Sequence, residues 1–240
     1  EPAELPPRLD AVLEAIYAAF AEGWTDAAGT DPARRELTGE AIWLARLLAG
    51  LMPGEPEALG LLALMLHAEA RRPARRDAAG DYVPLGWQDP GLWDAAMIAE
   101  AEALLRRAAG MGRIGRFQLE GALQSAHVHR CRSGEADWPR VVALYDALLA
   151  LSASPVVAIN RALAVAHLEG AAAGLAALDG VAGDPRLAEY QPWWAARAEL
   201  LARTGEPGEA RRAYALAIGL ERDPAVRRFL QQAQAALPEG

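Results

Sequence analysis

Metal chemistry in this chain would centre on His127, His129 and Cys131, three residues of ligating type within five consecutive positions. A helix turns about 100° per residue, so His127 and Cys131 share a face and His129 points away from both. Two ligands fall short of a structural zinc site, and no CxxC pair accompanies them. Aligning Gly134 with Gly170 and Gly205 puts His127 at the small-residue packing position of Leu163 and Ala198, so a packed or hydrogen-bonded histidine is expected. Arg71, Arg72, Arg75 and Arg76 form the one dense basic run. Guanidinium groups clamp phosphates and carboxylates, but this run follows an apolar helix, whose C-terminal dipole favours cations, and Glu69, Asp77 and Asp81 surround it. The expectation is a solvated helix end with local ion pairs; the alternative is a secondary contact to a partner through these arginines and Trp87. Glu100 with Glu102, and Glu135 with Asp137, are the acid pairs that acid–base chemistry would need, yet nothing in their spacing puts either pair in a cleft. GxSxG, P-loop and HExxH patterns are missing, and no GxGxxG follows a strand. The chain reads as non-enzymatic, with no catalytic residue, metal or cofactor.

The elements that carry these residues are helical. The 240 residues include 56 Ala and 34 Leu but only 20 Ile, Val and Thr together, which favours helix over sheet. With 52 % hydrophobic and 23 % charged residues the chain is too apolar for a disordered tail and long enough to bury a core. All 24 basic residues are Arg, and against 32 acids they leave a net charge of −8, which disfavours nonspecific nucleic-acid binding. The densest apolar stretch, Ala58 to Leu66, is too short to cross a bilayer, and no basic-then-apolar leader opens the sequence. A soluble, cytoplasmic protein without membrane contact is expected. Cys131 stands alone, so there is no disulfide framework. The first residue is Glu1 rather than Met, and Glu1–Arg8 has the Pro-rich character of a linker, so the chain is expected to be a piece of something longer.

Pro and Gly divide the sequence into helices expected at Pro7–Ala21, Arg35–Leu51, Glu55–Arg71, Gly91–Ala109, Gly115–Arg132, Trp138–Leu151, Pro155–Leu168, Ala171–Leu178, Pro185–Arg203, Pro207–Leu220 and Pro224–Ala236. Asp89 or Asp94, Ser154 and Asp223 are candidate N-caps, and Gly134, Gly170 and Gly205 candidate C-caps. Those glycines are 36 and 35 residues apart, near the roughly 34-residue period of tetratricopeptide (TPR) arrays. Gly205, Ala210, Tyr214 and Ala217 stand at TPR spacing, and Tyr145 precedes Pro155 by ten residues as Tyr214 precedes Pro224. The expected fold is all-α. An irregular N-terminal helical region (1–110) with a long loop at 72–89 continues into a TPR-like α-solenoid (111–240) of about three hairpins plus a capping helix, as one continuous domain. Asp81–Pro84 is the sole strand candidate.

The runs Glu40–Arg75, Gln88–Asp94, Asp137–Gly170 (DWPRVVALYDALLALSASPVVAINRALAVAHLEG) and Ala195–Ile218 resemble the long C-terminal extension of a subgroup of bacterial extracytoplasmic-function (ECF) sigma factors. The resemblance covers nearly the whole chain. It implies a helical, TPR-like module that follows two sigma domains and regulates them through protein contacts; neither sigma domain is present here, so promoter recognition is not assigned to these residues.

In TPR hairpins the first helix of each pair lines a groove. Counting back from the turn glycines places Gln124, Val128, Cys131 and Arg132, then Asn160, Ala164 and His167, then Ala195, Glu199 and Arg203 along it. In the peptide-binding TPRs that this array resembles, an Asn at the position of Asn160 bonds a peptide backbone; the alternative is that Asn160 ties two hairpins together. Trp193 and Trp194 are adjacent, so one is expected in the core and the other at the surface or under a loop. The leading expectation is a regulatory interaction module of an ECF sigma factor, whose partner is its own sigma domains, RNA polymerase or a regulatory protein. The other is a small-molecule sensor with a pocket between the N-terminal helices and the solenoid, lined by Trp87, Trp93, the Arg run and His127.

Overall fold

The computed structural model describes residues 5–25 and 32–238. Among them are eleven α-helices and no β-sheet: α1 (Leu5–Trp24), α2 (Pro32–Leu51), α3 (Pro56–Glu69), α4 (Ala95–Ala109), α5 (Arg116–Ser133), α6 (Trp138–Leu151), α7 (Pro155–Leu168), α8 (Ala171–Asp179), α9 (Gln191–Arg203), α10 (Pro207–Leu220) and α11 (Pro224–Ala235). Most of the linker-like start, Glu1–Glu4, lies outside the described residues, and α1 takes up the rest. None of these helices is long and apolar enough to cross a membrane.

The chain forms two compact units, Glu1–Asp77 with Val83–Ala136, and Ala78–Tyr82 with Asp137–Gly240. The change of unit therefore falls after Ala136 rather than after Gly110, because α5 packs against α3 and α4. In the first unit α3 is buried continuously from Ala58 to Ala68, as a helix apolar on nearly every side must be. Around it α1, α2, α4 and α5 bring Leu13, Phe20, Ile42, Ala101 and Phe117 into one core. Gly60 lets α5 approach: a Cβ there would stand 2.5 Å from the Gln118 backbone nitrogen. A smaller cluster of Ala70, Ala74, Trp93, Ile98 and Val128 lies under the long connection.

That connection is built of 3-10 turns at Arg72–Ala74, Leu85–Trp87 and Pro90–Leu92. The expected strand at Asp81–Pro84 is not formed; single bridge residues occur at Arg76 and Tyr82, and Val83 donates its N–H to the Arg75 carbonyl at 3.0 Å. The expected helix start at Gly91 moves to Ala95: Asp89 caps the short turn through the Gly91 N–H, and Asp94 caps α4 through the Met97 N–H.

In the second unit each helix from α6 to α11 packs on the next, and α7 also meets α9. Ile159, Ala162, Leu178, Trp193 and Leu200 fill one core, and Ala198, Ala210, Tyr214, Ala217 and Leu230 the next. Arg228 donates to Asp81 at 2.5 Å, and Tyr82 meets Phe229 edge-on at 5.6 Å. The single helix expected over Pro185–Arg203 is two pieces, a 3-10 turn at Pro185–Leu187 and then α9, because Pro192 cannot donate within a helix and sits in the first turn instead. Gly134, Gly170 and Gly205 all have positive φ (77°, 100° and 83°), the backbone state a chain reversal after a helix requires. Ser154 occupies an N-cap position without a side-chain bond, whereas Asp223 accepts from the Ala225 and Val226 N–H groups.

Candidate functional site

Ile159, Ala162 and Ala166 of α7 share one buried cluster with Leu178 of α8 and with Trp193, Ala196 and Leu200 of α9; Ala162 and Ala166 stand opposite Gly174 of α8, and α7 also meets α9. What remains outward on these helices includes Asn160 and His167 on α7, and Glu199 and Arg203 on α9, all exposed. Arg203 links the two helices, donating to the Ala166 carbonyl at 3.1 Å and to Glu199 at 3.5 Å. The His167 ring stacks on Trp138 of α6, with centroids 4.1 Å apart and planes 3° from parallel. Asn160 makes no side-chain hydrogen bond among the described residues, so it does not tie hairpins together and keeps both amide functions for solvent or a ligand. An amide, an imidazole, a carboxylate and a guanidinium on adjacent helices can hydrogen-bond an extended backbone or a polar side chain.

Other expected members of this face are placed differently. Gln124 is on α5 of the first unit, where its side-chain oxygen accepts from Arg71 at 2.5 Å; it ties α5 to the turn that follows α3. Arg132, also on α5, is exposed, while Val128 is buried with Trp93. Ala164 on α7 is buried as well.

The arginine run folds back on its own unit. Arg71 is buried and bonds the His67 carbonyl as well as Gln124. Arg72 pairs with Glu69 at 2.8 Å and reaches the Thr38 hydroxyl, and Arg75 lies 3.9 Å over the Trp24 ring while donating to the Trp24 carbonyl. Trp87 is 75 % exposed. Cys131 donates its thiol to the Leu85 carbonyl across 3.6 Å, His127 is half-buried and His129 exposed. Among the described residues no group of three His, Cys, Asp or Glu side chains could hold a metal ion.

A polar set that sequence reasoning missed lies between α3, α4 and α5. His67 is wholly buried, with Nε2 3.3 Å from Glu102, and Glu102 accepts from the Ser125 hydroxyl at 2.6 Å. These are the residue types of a nucleophilic triad wired the wrong way, since the carboxylate stands between serine and histidine and no base faces the hydroxyl. The His67 imidazole beside it, with help from Ser125, holds the Glu102 carboxyl below the usual carboxylate range despite its burial. Glu100 is engaged elsewhere, by Arg46 at 2.8 and 3.1 Å, so Glu100 and Glu102 do not act as a pair. In the second unit, clefts of about 370 and 510 Å³ flank the α8–α9 connection and share Gly183 and Asp184. The Asp184 carboxylate there is already taken by the Arg186 backbone and side chain. Trp193 is buried, and Trp194 beside it donates to the Ala188 carbonyl at 2.9 Å, as their adjacency requires.

Fold and face together describe an all-α helical protein with a polar, solvent-facing surface on two stacked helices. Residues 8–109 match a family of unknown function, DUF6596. A curated relative, "Uncharacterized protein R00370" of Rhizobium meliloti (strain 1021), is 41 % identical over 213 residues, which are 89 % of this chain and 50 % of the relative. The chain thus spans about half the length of that relative. No solved structure matches.

Proposed function

We propose that this chain is a non-enzymatic protein-interaction module, the regulatory C-terminal domain of an ECF-type sigma factor, and that its second unit is a TPR-like solenoid. The observation that carries the reading is Asn160, exposed and unbonded on α7 beside the α9 face that presents Glu199 and Arg203. The glycine period, the helix-on-next-helix packing and the burial of Ala210, Tyr214 and Ala217 at repeat spacing support the solenoid. The sequence resemblance supports the sigma-factor context, and the double length of the relative is in keeping with it. In this reading the partner is a protein segment of the sigma domains, RNA polymerase or a regulator, held in extended form by hydrogen bonds from Asn160 and by the charges of Glu199 and Arg203. Binding shifts the longer protein between two arrangements that cover or expose its polymerase-binding and DNA-binding faces. This part leaves DNA contact to those domains, as its charge of −8 favours.

The affinity of the longer protein for RNA polymerase, compared among wild type, Asn160→Ala and Glu199→Arg, tests the reading. Each substitution is on an exposed position and is expected to change the affinity by about tenfold, the effect of about 1.4 kcal/mol. Unchanged affinity in both variants would remove this face from the interaction.

A further inference from the structure

Helix α2 is apolar on two faces. Ala41, Ile42, Ala45 and Ala49 turn into the core of the first unit. On the other side Trp43, Leu47 and Leu51 are 61, 45 and 72 % exposed. They are four residues apart, so they form a ridge about 12 Å long on one side of the helix. A lone exposed hydrophobic residue needs no explanation, but a continuous ridge marks a surface that meets something. Gly39 and Gly50 sharpen the point. They are eleven residues apart, about three turns, and share the Trp43 side of the helix. A Cβ at either would meet nothing within 4 Å. Among the described residues no neighbour inside the unit therefore requires glycine at these positions, although each weakens the helix by about 1 kcal/mol relative to alanine. Bare backbone beside a bulky ridge is what lets a second helix approach closely. Arg46, at the edge of the same face, is held by Glu100 on α4 and leaves the ridge uncovered.

We infer that this outer face of α2 docks an amphipathic helix contributed by the remainder of the longer polypeptide. The inference rests on the reading of the chain as one domain of a longer protein. The source of the helix is argued from length: half of the relative lies outside its match to this chain, and α2 lies within the segment that matches the family. A helix tethered in the same polypeptide by a short flexible linker acts at about millimolar effective concentration, which lowers the affinity that the ridge itself must supply.

Thiol labelling tests the docking. Leu47→Cys, in a Cys131→Ser background, is labelled with a maleimide in the 240-residue chain and in the longer polypeptide. Labelling is expected to be at least tenfold slower in the longer protein, and Trp43→Glu is expected to restore the fast rate. Ile114→Cys, at a 75 % exposed position off α2, should label equally in both and reports any global difference. Equal rates at Leu47→Cys in both proteins would overturn the inference. So would slow labelling in the 240-residue chain that deepens with protein concentration, because a second copy would then be the occupant. An upstream reading frame that starts within a few codons of Glu1 would overturn it as well. Transcription measured on the same preparations separates the two claims. Protection without any transcriptional effect of the domain keeps the docking and removes the regulatory reading; a transcriptional effect without protection does the reverse.

Discussion

Glu57 shows how single side chains hold the first unit together. Gly115, at the N-cap of α5, has no side chain to satisfy the first amides of that helix, and Glu57 of α3 supplies the missing acceptor, taking the Phe117 and Gln118 N–H groups at 2.9 and 3.1 Å and the Gln118 amide at 3.1 Å. Glu57→Ala is expected to destabilise the chain by about 1–2 kcal/mol, read from the urea midpoint, since it removes a helix cap and leaves part-buried donors unmet. The Glu102 carboxyl has a folded pKa below its ordinary 4.5, so its contribution to stability is complete above that pH and is lost as pH falls through the lower folded value. Glu102→Gln should therefore flatten the acid limb of the stability profile, and an unchanged limb would show that His67 and Ser125 do not stabilise the charged form. At this scale the sequence was half legible. Adjacency was enough to separate Trp193 from Trp194, and the turn glycines located Asn160, Glu199 and Arg203 on exposed helix faces. Gln124 was misread because spacing gives a residue's side of a helix but not its neighbour there, and Arg71 approaches from 53 residues away. His67, Glu102 and Ser125 carried no local pattern at all, being joined only by the packing of three helices.

Helices were legible wherever proline and aspartate or glycine marked their ends, which is why α6, α7 and α10 begin and end where expected. They were misjudged where proline lay inside an apolar run, as in Pro185–Arg203, because apolar spacing continued through a break that backbone chemistry imposes. Glycines within helices divide by what stands opposite them. At Gly60 an added methyl would strike the backbone of α5, so Gly60→Ala is expected to cost about 1–3 kcal/mol. At Gly39 it would meet open space, so Gly39→Ala should raise stability by about 0.5–1 kcal/mol in the 240-residue chain. Denaturant titrations of both variants read these opposite signs, and equal signs would contradict the packing of α3 on α5 described above.

For the molecule as a whole, composition was enough to give an all-α protein, and the 36- and 35-residue glycine spacing located three chain reversals. The boundary between units was not legible, because Gly134 at the end of α5 continues the glycine spacing while the buried side chains of α5, Phe117, Leu119 and Leu123, belong to a helix packed on α3 and α4. The glycine spacing records where helices end and turn, and the apolar faces decide which neighbours they join. The same limit applies to function, since exposure of Asn160 and of the α2 ridge arises from what neighbouring helices leave uncovered. Transcription in vitro with purified RNA polymerase, comparing the longer protein with a form that lacks these 240 residues, tests the regulatory role most directly. A several-fold change in promoter-specific output on removal of the domain is the predicted result, and identical output with identical polymerase affinity would contradict it.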